Sequence, residues 1–588
     1  MKDYVVWRVR NMNDQKCNTS SSLVPTAPYN FIPYDPSFTT KPGSDEKLYS
    51  GTITCSLVVK KALLVAESLS EENREKNVDE LGIKKREFFK LNDGKTLCIP
   101  GTSLKGMLRS YIEILSQSGI TLISNQKLFY RDLTGGIKSK YKRLFPKPQK
   151  DMSNNKLIAG GFLFKRGAQY YLAKTNVILV TNQNKDEYIG KDKYETGSMT
   201  GKKVLGYYFK ELEEPINLEK PNENVIKLDQ TVFENFKLQM SKNQEKRWID
   251  EGKRLENGQG ARVFYIEVKD EDSTKIEIGM ARYFRVGYKF TPKDLALGGK
   301  EFNTANDFTL HLFGNAEPND TMKGKISVEP AYFIKVVPGS DHTYILGTPH
   351  PTCIRHYIEQ DPKVNKKYFS DLRNYNNDNN SSKLRGRKLY WHRNIEEDIT
   401  ADNGNTNENV NVKTHLCPVG KNSRAIFTIH LDRVNQTELG AIFDCINLPS
   451  GYLHKLGLGK SMGLGSVKLT VEEFNIVDQG KRYESLRSRL LGDKSNQINQ
   501  ETIDEARKAF KEHVVKFCKE KVSYERQDFY EEFLAMTDFD HKPENAKTKN
   551  MPLNEKDPVC FAKCRDFLPT PHVINPPQVL TSEQNDNK

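Results

Sequence analysis

Two short stretches of the chain combine positive charge with residues that let the backbone approach an anion. The first runs from Cys98 to Leu115 and changes at Pro-Gly from a strand pattern to a helical one. Thr102 or Ser103 is predicted to cap this helix, and two cations follow within two turns. Because a helix N-terminus already carries partial positive charge, cations there are unfavourable unless an anion offsets them, and solvated cations are the alternative. The residues predicted to contact phosphate are Thr102, Ser103, Lys105, Gly106 and Arg109.

The second stretch, His454–Leu469, holds four glycines within nine residues, with two lysines among them. Glycine lets backbone amides approach a phosphate without a Cβ in the way, although a plain tight turn is the alternative. A nucleotide site is not supported, because His454 and Met462 stand where the two nucleotide-binding motifs need glycine. The residues predicted to cradle a sugar-phosphate backbone, side by side with the helix start, are Lys455, Gly457, Gly459, Lys460, Ser461 and Gly463.

The elements that must position these stretches form a repeated strand–helix–strand pattern. A β-branched run, Gly51–Ala66, predicts a strand, and apolar residues at helical spacing give the helix after Pro100 one buried face. The pattern recurs as the strand Arg424–Val434, the helix Gln436–Leu448 and the strand Ser466–Phe474. Two such units predict an α+β chain with a split βαβ, ferredoxin-like sheet that carries long insertions.

Local spacing predicts three further features. Asn-Asp-Gly is expected to join Phe88–Leu91 to Thr96–Ile99 as a hairpin. A longer hairpin is expected over Gly160–Val180, and Arg109 is expected to pair with Glu113 four residues later.

Changes of composition along the chain suggest five regions. The insertion is rich in Lys, Asn and Glu, and its apolar islands read as mostly β. The predicted regions are an N-terminal arm (1–48), a first half of the core (49–184), an insertion (185–341), a second half of the core (342–480), and a helical extension with a tail (481–588).

Charge and cysteine content narrow the class of protein. Over 588 residues, Lys and Arg exceed Asp and Glu by 13, which favours a polyanionic partner. The start has no signal-peptide pattern and no stretch is apolar enough to span a bilayer, so a cytoplasmic protein without membrane contact is expected. The Cys560–Cys564 pair and the group His350, Cys353 and His356 lack the four ligands of a structural zinc site, so core thiols and surface imidazoles are expected there instead.

The two phosphate-binding stretches, together with Gly51–Ala66, resemble the RAMP superfamily of CRISPR-associated proteins. Shorter segments resemble a subgroup of long members with a large insertion, so that the resemblance covers roughly residues 25–180 and 342–472. It implies an RRM-like core that serves as a backbone subunit of a type III effector complex. The implied partners are the CRISPR guide RNA, target RNA and other effector subunits. Tyr390 and Trp391, next to basic residues, are candidates for stacking bases, with core packing as the alternative.

The carboxylates near the first stretch bear on whether the protein cleaves RNA. In cutting members of the superfamily an aspartate precedes the strand that leads into the helix, whereas here that neighbourhood reads Lys84–Arg86. A carboxylate is needed there to hold a cation or to orient the nucleophile. Asp79 and Glu87 are the candidates for this catalytic carboxylate, but neither stands at the position of the aspartate in cutting members. We therefore predict a non-cutting subunit without a cofactor. The alternative is an endoribonuclease that uses Mg²⁺ to cleave target RNA or to mature the guide.

Overall fold

The computed structural model describes most of the chain, and its helices and strands are as follows. The described residues are 24–35, 40–44, 47–67, 77–78, 83–132, 140–188, 190–192, 194, 204–212, 216–269, 274–298, 304, 307–346, 350–364, 366, 371–377, 382–395, 413–477, 496–497, 500–551 and 564–577. The strands are β1 Tyr29–Ile32, β2 Leu48–Val59, β3 Lys84–Arg86, β4 Cys98–Ile99, β5 Phe129–Tyr130, β6 Gln149–Lys150, β7 Lys156–Arg166, β8 Gln169–Val180, β9 Gly206–Phe209, β10 Val225–Leu228, β11 Ala261–Lys269, β12 Thr274–Gly279, β13 Val286–Gly287, β14 Ile326–Val328, β15 Ala331–Lys335, β16 His342–Ile345, β17 Arg387–Tyr390, β18 Lys413–Leu416, β19 Arg424–Asn435, β20 His454–Lys455, β21 Ser466–Ile476 and β22 Asn496–Gln497. The α-helices are α1 Gly101–Leu115, α2 Lys140–Arg143, α3 Gln230–Leu238, α4 Lys242–Glu256, α5 Pro292–Leu297, α6 Phe308–Phe313, α7 Ile354–Tyr357, α8 Gln436–Ile446, α9 Gln500–Phe517, α10 Asp528–Thr537, α11 Asn545–Thr548 and α12 Pro571–Ile574.

A central sheet contains β2, the first strand of the first predicted unit, and both strands of the second predicted unit. Its order is β20-β21-β2-β19-β15-β4, every neighbouring pair is antiparallel, and β14 continues the line of β15 along β19. The first unit runs from β2 through α1 to β14 and β15, and the second from β19 through α8 to β21. The chain is therefore α+β, as predicted, but the strands that close the first unit, β14 and β15, come from the predicted insertion and not from the predicted first half of the core.

The helices cover one face of this sheet because the apolar residues follow the expected periods. On β2 the buried Tyr49, Ile53 and Cys55 belong to a run from Leu48 to Cys55 in which buried and partly exposed residues alternate, as the period of two requires. On α1 the predicted apolar positions, among them Leu104 and Leu108, are 2% exposed or less. They join the largest hydrophobic core of the described residues together with α8 and α9. The helices of both units therefore form one layer on the sheet.

The predicted short-range features also occur. Leu91 N–H donates to the Thr96 carbonyl at 2.9 Å, which closes the turn at Asn-Asp-Gly. The hairpin of β7 and β8 turns after Arg166. Helix α8 begins after Asn435, whose side chain accepts the Glu438 N–H at 2.9 Å.

The strands of a second sheet do not follow the predicted boundaries between the core and the insertion. Its order is β10-β8-β7-β11-β12, with β6 on β7 and β9 on β8. Thus β7 and β8, assigned from the sequence to the first half of the core, pair with strands of the predicted insertion. Conversely β14 and β15, assigned to the insertion, lie in the central sheet. The predicted and observed boundaries differ because composition reflects the solvent exposure of each segment. Strand pairing depends instead on partners that are distant in the sequence.

Residues 140–286 are here called the insertion unit. The segments that connect the two ends of this unit to the rest of the chain lie next to each other. The strands β5 and β13 pair antiparallel, with Val286 opposite Tyr130. Among the hydrophobic clusters of this unit, one contains Phe162 and Phe264 and another contains Leu163 and Val263. Because neighbouring residues of a strand point to opposite faces, each face of the second sheet has its own core.

The predicted helical extension packs on the central sheet's helix layer. Helix α9 lies against α8, and the Arg507 guanidinium reaches the buried Asp444 carboxylate at 2.5 Å. The Tyr524 hydroxyl donates to the Leu115 carbonyl at the end of α1, at 2.7 Å. None of the helices in the described part of the chain combines the length and hydropathy of a bilayer span.

Candidate nucleic-acid interface

The start of α1 differs from the prediction in its cap. The N-cap is Pro100, and neither Thr102 nor Ser103 caps the helix, because the chain enters helical geometry directly after the proline. Gly101 lies so close to the Val328 carbonyl of β14 that a Cβ there would collide with it. The helix start is therefore fixed by a proline and a close backbone approach.

Both cations of α1 have protein partners. The Lys105 ammonium donates to the Ile326 carbonyl at 3.0 Å. The Arg109 guanidinium donates to Glu113 at 2.9 Å, as predicted, and to the Thr121 hydroxyl at 3.2 Å. RNA contact by these two cations therefore stays a prediction, and it would compete with these bonds.

The outward face of α1 is small and polar. Thr102, Gly106 and Ser110 are exposed, and a Cβ added at Gly106 would meet nothing within 4 Å. Glycine inside a helix costs roughly 0.5–1 kcal/mol relative to alanine, and no packing contact explains it here. The open space leaves room for a ligand's backbone, as the predicted role of Gly106 requires.

The glycine loop, defined as residues 456–465, is a tight turn whose glycines are needed sterically. Gly457 has φ of +85° and approaches the Leu64 carbonyl so closely that a Cβ would collide. Gly463 has φ of +98°, and a Cβ there would lie 2.7 Å from the Asn394 carbonyl oxygen. The tight-turn alternative therefore holds for the loop's geometry, and a ligand role must come from its surroundings.

Lys455, just before the loop, points its ammonium inward. The side chain is 6% exposed, and its Nζ donates to the Leu464 carbonyl at 2.8 Å. Burial, and after it the charges of Lys61, Lys460 and Arg393, holds the pKa of Lys455 well below its usual range. In this arrangement the Lys455 ammonium closes the loop.

The structure does not bring the helix start and the glycine loop side by side. Strand β4 leads into α1 and β20 leads into the loop, and these are the two ends of the central sheet's order. Five strand spacings separate them, roughly 24 Å on a flat sheet. Their link is Tyr111 in the third turn of α1, whose hydroxyl accepts the Lys455 backbone N–H at 2.9 Å. The sequence could not show this, because strand order is not a local property.

Beside the glycine loop lies a group of cations from four segments of the chain. Arg393 donates to the Ser461 carbonyl at 2.8 Å, and Lys61 donates to the Arg393 carbonyl and to the Asn394 side chain. Lys460 lies 5.4 Å from the ring centre of Tyr390. This group, called the cationic cluster, consists of Lys61, Lys388, Arg393, Lys460 and Lys542.

Three of the four lysines of the cationic cluster have lowered pKa values. Burial, and after it the charges of Lys542, Arg393 and Lys421, lowers the pKa of Lys61 to about 8. Burial and the charge of Lys460 lower the pKa of Lys388 to about 8 as well.

Burial alone lowers the pKa of Lys460. Within the described residues, no carboxylate contributes to the shifts of these three lysines. Positive charges that repel one another at partly buried positions are stabilised by an external anion.

The two aromatic candidates lie in different environments. Trp391 is 1% exposed and belongs to the main core, which favours the packing alternative for it. Tyr390 is partly exposed, with the ammonium groups of Lys388 and Lys460 at 5.3 Å and 5.4 Å from its ring centre. Base stacking by Tyr390 stays a prediction.

Comparisons with known proteins add little. No protein-family model and no curated protein matches the chain. Among solved structures, a chain of the cryo-EM structure of the Type III-B Cmr-beta bound to cognate target RNA aligns with 72% of this chain and 97% of its own length. The identity is 10% and the TM-score is 0.18. A likeness at this level supports no conclusion about fold or function.

The candidate catalytic carboxylates are not assembled within the described residues. Glu87 accepts hydrogen bonds from Lys85 at 2.7 Å and Lys90 at 2.9 Å. These bonds lower the pKa of Glu87 to about 2, so its charge is neutralised by two lysines. Asp79 lies outside the described residues.

In the described part of the chain, the cysteine and histidine residues whose spacing could suit zinc do not form a metal site. His356 is buried, and its Nδ1 lies 3.2 Å from the Tyr29 hydroxyl. His350, Cys353 and His356 do not bring three ligand atoms together. Cys564 is buried, and Cys560 lies outside the described residues.

Sequence reasoning missed four members of the cationic cluster. Lys61 lies two residues after the end of β2, Lys388 two residues before Tyr390 and Arg393 two residues after Trp391, so cations beside a strand end and beside aromatic residues were the available signal. Lys542 had no local signal, because only the packing of the C-terminal region brings it near Phe539 and Lys61.

Proposed function

We propose that this protein holds the sugar-phosphate backbone of a CRISPR guide RNA as a backbone subunit of a type III ribonucleoprotein effector. The observation that carries the proposal is the cationic cluster beside the glycine loop. Phosphate contacts carry no sequence information, so such a site would accept guides of any spacer sequence. Tyr390, between two ammonium groups, is suited to stack a base irrespective of its identity.

The central sheet supports the finer fold proposal, a ferredoxin-like RAMP core. Counting only the strands of the two strand–helix–strand units, their spatial order is fourth, first, third, second, and all pairs are antiparallel. Two interleaved split βαβ units have this order. Target RNA and other effector subunits are proposed as partners on the resemblance alone, and a cytoplasmic location goes with them.

The experiment that tests the proposed function uses the lowered pKa values of Lys61 and Lys388. A lysine with a pKa of about 8 loses its charge above that pH, and each pH unit beyond it weakens phosphate binding about tenfold per lysine. We expect affinity for polyadenylate RNA, whose bases do not titrate there, to fall steeply between about pH 7 and pH 9.

The matched control is the variant with Lys61→Arg and Lys388→Arg. Arginine stays charged throughout this range, so the variant should retain its affinity at the higher pH. An identical pH profile in wild type and variant would contradict phosphate binding by these two lysines.

We infer further that the subunit does not cut RNA. The support is the engagement of Glu87 by two lysines, which leaves it a poor ligand for a cation. Assembled effector incubated with matched target RNA and Mg²⁺ should leave that RNA intact at the positions facing this subunit. Cleavage that disappears in Asp79→Ala or Glu87→Ala would overturn this inference and favour the endoribonuclease alternative.

A further inference from the structure

Three potential metal ligands meet at one end of a small sheet formed by β16, β18 and β3. His415 lies on β18 and Cys417 follows two residues later, so both side chains leave on the same side. Asp341 directly precedes β16, and because His342 pairs with Leu416 it stands opposite Cys417. The ligand atoms of the three side chains all lie within 4.8 Å of one another, and the Asp341 carboxylate is 3.2 Å from His415 Nε2.

We propose that Asp341, His415 and Cys417 form a zinc-binding site with three protein ligands. A thiolate, an imidazole and a carboxylate together suit Zn²⁺ and do not suit Mg²⁺ or Ca²⁺, which take oxygen ligands. Zinc bonds of 2.0–2.3 Å in tetrahedral geometry place ligand atoms roughly 3.3–3.6 Å apart. The Asp341 to His415 distance of 3.2 Å is close to this spacing, and the Cys417 sulfur lies within 4.8 Å of both ligand atoms.

The other nitrogen of His415 has the partner that a zinc-binding histidine needs. His415 Nδ1 lies 3.1 Å from the Thr343 hydroxyl on the neighbouring strand. With Nδ1–H donating to that oxygen, the lone pair of Nε2 points toward Asp341. Partners of this kind fix the tautomer and the ring orientation of ligating histidines.

The site has room for a fourth ligand. The Asp341 side chain is 51% exposed and that of His415 22%, so one side of the cluster faces solvent. Three protein ligands with an open position bind water or another small oxygen ligand as the fourth. Binding requires the Cys417 thiol to release its proton to solvent as the sulfur–zinc bond forms.

Burial and the charge of Asp341 raise the pKa of the Cys417 thiol to about 11, against the opposing charge of Lys85. The free thiol is therefore protonated at neutral pH, and the ion must displace that proton. The site does not contain any member of the cationic cluster, and the zinc proposal does not depend on the proposed function. The signal available in the sequence was His-x-Cys at residues 415–417, a spacing outside the usual zinc patterns.

The test is a titration of the metal-stripped, full-length protein with Co²⁺ and then with Zn²⁺. We expect one Co²⁺ per chain with a thiolate-to-cobalt charge-transfer band and tetrahedral d–d bands, and displacement of Co²⁺ by one equivalent of Zn²⁺. Cys417→Ser should abolish the charge-transfer band. His415→Ala and Asp341→Asn should weaken zinc binding at least tenfold, and Thr343→Val should weaken it 10- to 100-fold.

Cys353→Ser, at another partly buried cysteine of the chain, is the matched control and should leave both signals unchanged. Asp341→Asn alters an exposed side chain, so it keeps the proposal testable if Cys417→Ser fails to fold. No charge-transfer band in the wild type, or a band that survives Cys417→Ser, would overturn the proposal.

Discussion

Replacing Lys61 and Lys460 together by alanine should weaken RNA binding about a hundredfold. Hydrogen bonds to charged groups contribute roughly 1.5 kcal/mol or more each, and two are lost. Each phosphate contact also contributes about 0.7 to the slope of log affinity against log salt for a single strand, so the slope should flatten by about 1.4. Fluorescence anisotropy with a labelled single-stranded RNA over a salt series measures both quantities.

The control variant carries Lys323→Ala and Lys508→Ala, which removes the same charge. These side chains are 84% and 78% exposed and do not belong to the cationic cluster. We expect its affinity and salt slope to stay close to those of the wild type. If both double variants lost affinity equally, the effect would come from net charge, and the cationic cluster would not be the binding site.

The variant with Lys105→Ala and Arg109→Ala distinguishes the two stretches found in the sequence. Both cations already have protein acceptors in the structure, at the Ile326 carbonyl and Glu113. Glu113 already neutralises the charge of Arg109, whereas no carboxylate contributes to the pKa shifts of Lys61 and Lys460, so we expect this pair to have a smaller effect than Lys61 and Lys460. A larger effect would place the RNA at the helix start instead.

Excising residues 131–285, which include all of the insertion unit except Val286, should leave the central sheet folded, whereas removing residues 185–341 should abolish folding. Tyr130 and Val286 are paired neighbours, so a short glycine-serine linker can join them after residues 131–285 are removed. The deletion of residues 185–341 removes β14 and β15 from the central sheet. It also removes the buried residues Phe308 and Leu312 of the main core.

Soluble yield and cooperativity of thermal unfolding decide between the two deletions. For the first deletion we expect a cooperative transition and RNA binding within about threefold of the wild type, since the cationic cluster is intact. For the second we expect insoluble protein, because the buried edge of the central sheet and its core contacts are lost together. A soluble, cooperatively folded second deletion would mean that β14 and β15 are dispensable.

The zinc proposal and the RNA proposal are independent of each other. Loss of zinc in Cys417→Ser should not change the salt slope of RNA binding, because no member of the cationic cluster lies among the three ligands. The two sites can therefore fail or succeed separately.

The periods of the apolar residues determined the elements of this protein. The alternation on β2 and the helical spacing on α1 are local consequences of backbone geometry, so the strands and helices of both units were predictable. The glycine loop was predictable too, because φ values near +90° and close backbone approaches at Gly457 and Gly463 exclude other residues.

Only the tertiary structure decided which elements are neighbours and which cations meet. The pairing of β7 with β11, the place of β14 on β19, and the separation of α1 from the glycine loop all depend on contacts between distant residues. Lys61 lies more than 300 residues before Lys388, and Lys460 follows Lys388 after 72 residues, so no local pattern records their common position. The periodicity of a short stretch depends on that stretch alone. A cluster of cations or of metal ligands, in contrast, forms where separate segments of the chain meet, and burial of the whole core decides which segments meet.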